Sequence, residues 1–185
     1  MRPSLLTSPG IDIKLNRSLA LSFLETVGRP GIDSLLDYLL ESDYFTAPAS
    51  TVYHDAAPGG LCRHSLNVMF AFAEANQNMS SPIPPESVII CGLLHDLCKV
   101  NAYTKTTSGY VRVKGLKGHA TLSISRIHEH MELTPQEDDI IRFHMGLFGI
   151  FTYREHDTLA IHKAIMRTPQ AQIFAAVDML DSRMP

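Results

Sequence analysis

Apolar positions along this chain recur mostly at helical spacing. Leu21, Phe23, Leu24 and Val27 follow that spacing across Arg17–Val27, and Gly28 stops the pattern. Ile32–Leu40 repeats it through Leu35, Leu36, Leu39 and Leu40. From Ser42 to Gly60 the pattern lapses into a loop punctuated by Pro48, Pro58 and Gly59-Gly60, with Tyr44, Phe45 and Tyr53 as its anchors. Leu61–Asn76 predicts a strong helix, and Pro84-Pro85-Glu86 opens another at Ser87–Val100. Between Tyr103 and Lys117 polar and apolar residues alternate around Ser108-Gly109, which predicts a short two-stranded hairpin. His119–Met131 returns to helix. Thr134-Pro135-Gln136-Glu137 then supplies an N-cap, a proline at the first helical position and a capping-box glutamate. The acidic run Glu137-Asp138-Asp139 suits the positive end of that helix dipole, and Thr168-Pro169 opens a last helix, Gln170–Ser182. The expected fold class is all-α, a helical domain with one short β-hairpin.

Composition narrows the function classes more than the fold. A chain of 185 residues fits one ordinary domain and buries enough surface to fold without disulfides. Its net charge of −3 argues against a broad nucleic-acid or anionic-membrane footprint. The longest unbroken apolar run, Val88 to Leu94, is far below the ~20 residues of a membrane span. The start, from Met1-Arg2-Pro3 to Ser8-Pro9-Gly10, has no signal-peptide apolar region. Cys62, Cys91 and Cys98 are odd in number and form no C-x-x-C, which reads as reduced thiols in a cytoplasmic protein.

Nine histidines are the count that calls for an explanation. His95-Asp96 ends the apolar run Val88–Leu94, where ionisable side chains need partners because an unpaired buried charge costs several kcal/mol. Lys99 lies one turn on and faces the same way, and Gly92 one turn before leaves room for another element to approach. A satisfied core histidine with an Asp–Lys pair would explain that stretch taken alone. His64, however, shares a face with Leu61, Val68 and Phe72, and Asp178 interrupts the apolar stretch Phe174–Leu180. Two inward histidines and two inward aspartates on three helices point to a shared cation, and their donors suit Mn, Fe, Zn, Co or Ni, or Mg with water.

In this order the residues resemble the HD-domain metal-dependent phosphohydrolases, whose signature is a His, a His-Asp pair at a helix end, and a late Asp. The surroundings fit as well: Tyr53-His54 before Gly59-Gly60-Leu61, His64-Ser65-Leu66, Leu93-Leu94-His95-Asp96 with Lys99, Gly118-His119, and Ala176-Val177-Asp178 with Asp181. The motif context is most similar to the HD domains of bacterial 3′–5′ exoribonucleases and their stand-alone relatives. The resemblance spans about Tyr53 to Ser182 and implies an HD-domain helical bundle. It divides the chain into residues 1–50, an N-terminal helical extension packed on the core, and 51–185, the HD domain.

The resemblance also implies the site. His64, His95, Asp96 and Asp178 fill the signature, and His119 and His144 resemble the two extra histidines of dinuclear subfamilies. Those subfamilies often carry a further His where this chain has Met145. The implied activity is a metal-dependent phosphohydrolase that activates water with one or two divalent ions (Mn, Fe, Ni, Co, Zn or Mg). Asp96 and Lys99 would be catalytic, though Lys99 equally reads as a salt bridge to an aspartate. Arg112, Lys114 and Lys117 could cover a phosphate, or simply form an exposed hairpin face. The expected substrate is a small phosphate ester, a nucleotide or short oligonucleotide, with no extended nucleic acid and no membrane. An HD-type di-iron oxygenase and a non-catalytic metal- or nucleotide-binding module are the alternatives. Asp181 reads either as a carboxylate supporting the ligands or as a plain helix-end charge. His54 reads as a turn residue, His128, His130, His156 and His162 as surface positions, and Cys62 and Cys98 as small buried residues.

Overall fold

In the computed structural model the described residues are 10–51, 55–113, 118–146 and 158–182. Along them run α1 (Ile13–Leu24), α2 (Ile32–Glu41), α3 (Gly60–Gln77), α4 (Pro85–Leu94), a 3₁₀ turn (Leu97–Lys99), β1 (Tyr103–Thr106) and β2 (Gly109–Arg112). Helices α5 (His119–His128), α6 (Pro135–Arg142), α7 (Thr158–Arg167) and α8 (Gln170–Asp181) complete the set. The all-α architecture with one hairpin is what the hydrophobic pattern predicts. Tyr53, His54, Lys114, Lys117 and His156 lie outside the described residues.

Helix α3 is the central element, with α1, α4 and α8 packed around it. Its length and its many buried positions, from Leu61 to Phe72, let it serve several neighbours at once. Leu24, Leu35 and Leu39 bring α1 and α2 into the same apolar cluster as Leu66, Ile90, Leu93, Ile140 and Phe174. Gly92 sets the α3–α4 distance: a Cβ there would lie 2.5 Å from Met69 Cβ and 2.6 Å from Met69 Cα. Any larger residue would therefore push the two helices apart, and these helices carry His64 and His95.

The capping box forms as its sequence predicts. Thr134 Oγ1 accepts from the Glu137 backbone at 3.2 Å, and Glu137 Oε2 accepts from the Thr134 backbone at 2.8 Å. The same buried carboxylate accepts both terminal nitrogens of Arg29, at 2.8 and 2.5 Å, while Arg29 Nε donates to Glu86 Oε1 at 3.0 Å. One guanidinium thus ties the α1–α2 connection to the starts of α4 and α6.

Three local readings need correction. The helix expected across Ser87–Val100 ends at Leu94, because Asp96 leaves helical backbone (φ −103°, ψ 19°) and a 3₁₀ turn follows. Leu97, Cys98 and Val100 are buried as their pattern implies, but α5 side chains take up their backbone groups: Ser123 Oγ accepts from Cys98 N at 3.0 Å, and Arg126 donates to Leu97 O and Val100 O at 2.7 and 3.0 Å. The hairpin turns at Thr107-Ser108, one residue earlier than its sequence centre, since Thr106 pairs with Gly109 and Tyr103 with Arg112. His130 is not simply solvated: its Nδ1 meets Ser34 Oγ at 2.8 Å, and its ring lies against Tyr38.

The Arg29 knot yields a stability prediction. Burial alone would raise the Glu137 carboxyl, but hydrogen bonds from Arg29, Ser87 and the Thr134 backbone hold it below its ordinary 4.5. Stability from this pair is therefore present above pH 4.5 and lost as pH falls through the depressed folded value. Arg29→Ala is expected to cost about 3 kcal/mol at neutral pH, by leaving a buried carboxylate uncompensated. Urea titrations should show that deficit shrinking as the pH is lowered toward 4 and Glu137 takes up a proton.

Candidate metal centre

Six ionisable side chains, each from a different element or its end, meet at one end of α3. His64 comes from α3, His95 from the residue after α4, Asp96 from the entry to the 3₁₀ turn, His119 from the first position of α5 and Asp178 from α8. His144 lies in the turn just beyond α6 rather than on the helix its sequence predicts, and still reaches the cluster. All six are buried, none more than 7% exposed.

Asp96 is the hub. Its Oδ2 lies 3.6 Å from His64 Nε2, 3.5 Å from His95 Nε2 and 2.6 Å from Lys99 Nζ. Its Oδ1 faces the other way, 2.7 Å from His119 Nε2 and 3.8 Å from His144 Nε2. Asp178 Oδ1 joins the first group, 3.1 Å from His64 Nε2 and 3.7 Å from His95 Nε2. The two oxygens of one carboxylate thus divide four histidines into two pairs.

The far side of each ring fixes what the near side offers. His95 Nδ1 donates to Gly92 O at 3.0 Å and His144 Nδ1 to Ile141 O at 2.6 Å, because a carbonyl only accepts. His64 Nδ1 meets Asp181 Oδ2 at 2.8 Å, and His119 Nδ1 meets Cys98 Sγ at 3.1 Å. With its proton committed at Nδ1, a neutral His95 or His144 turns a bare Nε2 lone pair into the cluster. Backing of this kind, by carbonyl, carboxylate or side chain, is how proteins orient histidine ligands.

That arrangement passes a direct test for a cation. His144 Nε2 is buried without a hydrogen-bond partner, 3.8 Å from Asp96 Oδ1. The same oxygen is held at 2.7 Å by His119 Nε2, through charge and a hydrogen bond. His64 Nε2 and His95 Nε2 face each other at 3.3 Å, and two nitrogens on one ion, each ~2.0–2.1 Å from it, lie about 3 Å apart. His64, His95 and Asp96 form one group able to hold a metal, and Asp96, Cys98 and His119 a second.

The electrostatics agree. Burial and the charges of His95 and His119 push His144 down to about 3, so it is neutral at physiological pH. Burial likewise lowers His95, against the pull of Asp96 and Asp178. Burial would lower His64 too, but its bonds to Asp178 and Asp181 raise it to about 10, so without a cation this ring carries a proton. Burial would raise Asp96, and Lys99, His95 and His119 together hold it well below the carboxylate range. In the metal-free state a proton on His64 supplies part of the positive charge that the carboxylates demand.

Several supporting residues are not evident from sequence. Asp181, ambiguous there, backs His64. Cys98, read as a small buried residue, backs His119. Ser123 and Arg126 sit at four and seven residues from His119 and so share its face of α5. His128 is half exposed beside Glu132, and His162 is exposed.

The HD domain family model matches residues 61–183, and the chain belongs to that family. No curated protein matches the chain, and no solved structure does. HD domains bind divalent metals, and the donors described above fit that role.

Metal uptake should therefore release protons. His64 is protonated at pH 7 in the metal-free protein and must give up the Nε2 proton to bind a cation. Calorimetric titration with Mn in two buffers of different ionisation enthalpy should show at least one proton released per chain. Affinity should rise about tenfold per pH unit between pH 7 and 9 for each proton displaced. A heat independent of buffer would contradict this protonation scheme.

Proposed function

We propose that this HD domain is a metal-dependent phosphohydrolase, cleaving a phosphomonoester or phosphodiester of a nucleotide-like substrate. The observation that carries this reading is the division of the site by Asp96. Oδ2 is turned to His64 and His95, which Asp178 joins, and Oδ1 to His119 and His144. A single carboxylate between two sets of nitrogen donors is the arrangement two neighbouring cations require. On this reading the ligands are His64, His95, Asp96 and Asp178 at one position, and Asp96, His119 and His144 at the other.

Divalent cations held there supply Lewis acidity toward a phosphoryl oxygen and lower the pKa of bound water. The chain's own residues do the rest. Asp96 orients the attacking water and accepts its hydrogen bond. Lys99, held 2.6 Å from Asp96 and kept protonated by it against the cost of burial, adds a fixed positive charge beside the phosphoryl group. The surrounding helix ends exclude bulk water, which strengthens each of these interactions.

A net charge of −3 favours a small substrate over extended nucleic acid. The likeness to exoribonuclease HD domains rests on motif context alone, which keeps a short oligonucleotide in the substrate panel. Three buried, unpaired cysteines are in keeping with a reducing, cytoplasmic setting. Among the described residues no helix is long and apolar enough to cross a membrane. Residues 1–50 are read as a helical extension of the domain, since α1 and α2 contribute to its apolar cluster.

The test is a panel of p-nitrophenyl phosphate esters, nucleoside monophosphates and short oligonucleotides with Mn, Co, Ni and Mg. Metal-dependent release of product is expected, and Asp96→Ala should lose more than the 10–100-fold typical of removing a supporting partner. The His119→Ala, His144→Ala double variant should retain about half the parent's metal. Colour and an absorption band after aerobic iron loading, with no ester turned over, would favour oxygen activation instead. Silence in both, with stabilisation by nucleotides, would favour a binding module.

A further inference from the structure

The hairpin packs beside the metal cluster through Tyr103. Tyr103, the first residue of β1, is 8% exposed, and its buried hydroxyl has no acceptor for its proton, because the Arg112 guanidinium in reach of its oxygen only donates. A buried O–H with no acceptor costs about 1–3 kcal/mol, so such a group in a native fold wants an occupant. Its ring packs on Cys98 and Ala102, the segment that follows Asp96 and carries Lys99. The hairpin is fastened to that segment by Val113 N donating to Ala102 O at 2.9 Å.

Register decides which side chains accompany it. Tyr103 pairs with Arg112 and Lys105 with Tyr110, and residues directly opposite each other in an antiparallel pair project from the same face. Arg112 is exposed, and Tyr110 joins the Tyr103 cluster. The inner face of the hairpin therefore presents a buried hydroxyl with Lys99 on the turn beneath it and the Arg112 guanidinium across the strand pair. Both cations, and Asp96, lie close enough for their charges to act on the phenol. A hydroxyl donor between two cations selects an anionic oxygen acceptor.

We propose that Tyr103 and Arg112, with Lys99, form a recognition subsite for a phosphoryl oxygen of the substrate, built by the hairpin against the metal cluster. This rests on the phosphohydrolase reading for what the anion is, and extends it by naming residues that bind substrate without holding metal. Thr104 and Val111 point from the opposite face and take no part.

The experiment is calorimetric binding of inorganic phosphate to the Mn-loaded protein, for the parent, Tyr103→Phe, Arg112→Ala and Thr104→Ala. The first two variants should bind phosphate roughly 10–100-fold more weakly, the worth of one hydrogen bond to an anion, with metal content unchanged and no loss of melting temperature. Thr104→Ala should bind as the parent does. Equal affinity in the parent and Tyr103→Phe, as a water satisfying the phenol would give, overturns the subsite, and so does a parent that binds no phosphate. The ester panel keeps the two readings apart. Turnover with an unchanged KM in Tyr103→Phe would overturn the subsite and leave the hydrolase standing. Tyr103-dependent phosphate binding without turnover would do the reverse.

Discussion

Everything in this molecule that bears on chemistry depends on one buried carboxylate. Asp96 is 2% exposed, and both of its oxygens are directed at nitrogen atoms. A carboxylate so placed needs positive charge nearby, and Lys99 alone meets only one side of it. The fold is arranged to hold that side chain still. The 3₁₀ turn that follows it is gripped by α5 through Ser123 and Arg126, and the same helix begins with His119. A shift of α5 would therefore move the hub and one of its histidines together.

The remaining donors are held by equally local means. His95 Nδ1 bonds back to Gly92 O, one turn earlier on the same chain, and His144 Nδ1 to Ile141 O in the same fashion. These two rings need no side-chain partner, because the helix ends to which they belong supply free carbonyls. Gly92 does double service, since its missing side chain also lets α3 bring His64 within 3.3 Å of His95. His64 is different. Held between Asp178 and Asp181, it is the ring on which proton and cation compete.

Much of this was legible in the chain, because its clearest signals are local. The capping box at Thr134 and the prolines at helix starts depend on a few adjacent residues, and the structure shows them where their spacing puts them. The inward aim of His64, His95 and Asp178 followed from their apolar neighbours. The end of α4 was not legible, since Leu97, Cys98 and Val100 keep a buried pattern while their backbone is bonded by a helix twenty-five residues away. Helix α7 is not among the predicted elements, although Ile161 and Ala164 are buried at helical spacing. Asp181 stayed ambiguous because it shares a helical face with Asp178, and only the position of the His64 ring assigns one carboxylate to each nitrogen. The Cys98–His119 contact joins two elements, and no spacing rule announces it.

The central claim is that this cluster exists to hold cations rather than as a proton-bridged polar core. Crystals grown with Mn and measured at the Mn absorption edge test it most directly. Anomalous-difference density is expected between His64, His95, Asp96 and Asp178, with a second peak on the His119–His144 side of Asp96. A well-ordered site at saturating Mn with no anomalous peak among these residues, the histidines joined to the aspartates by protons alone, would contradict it.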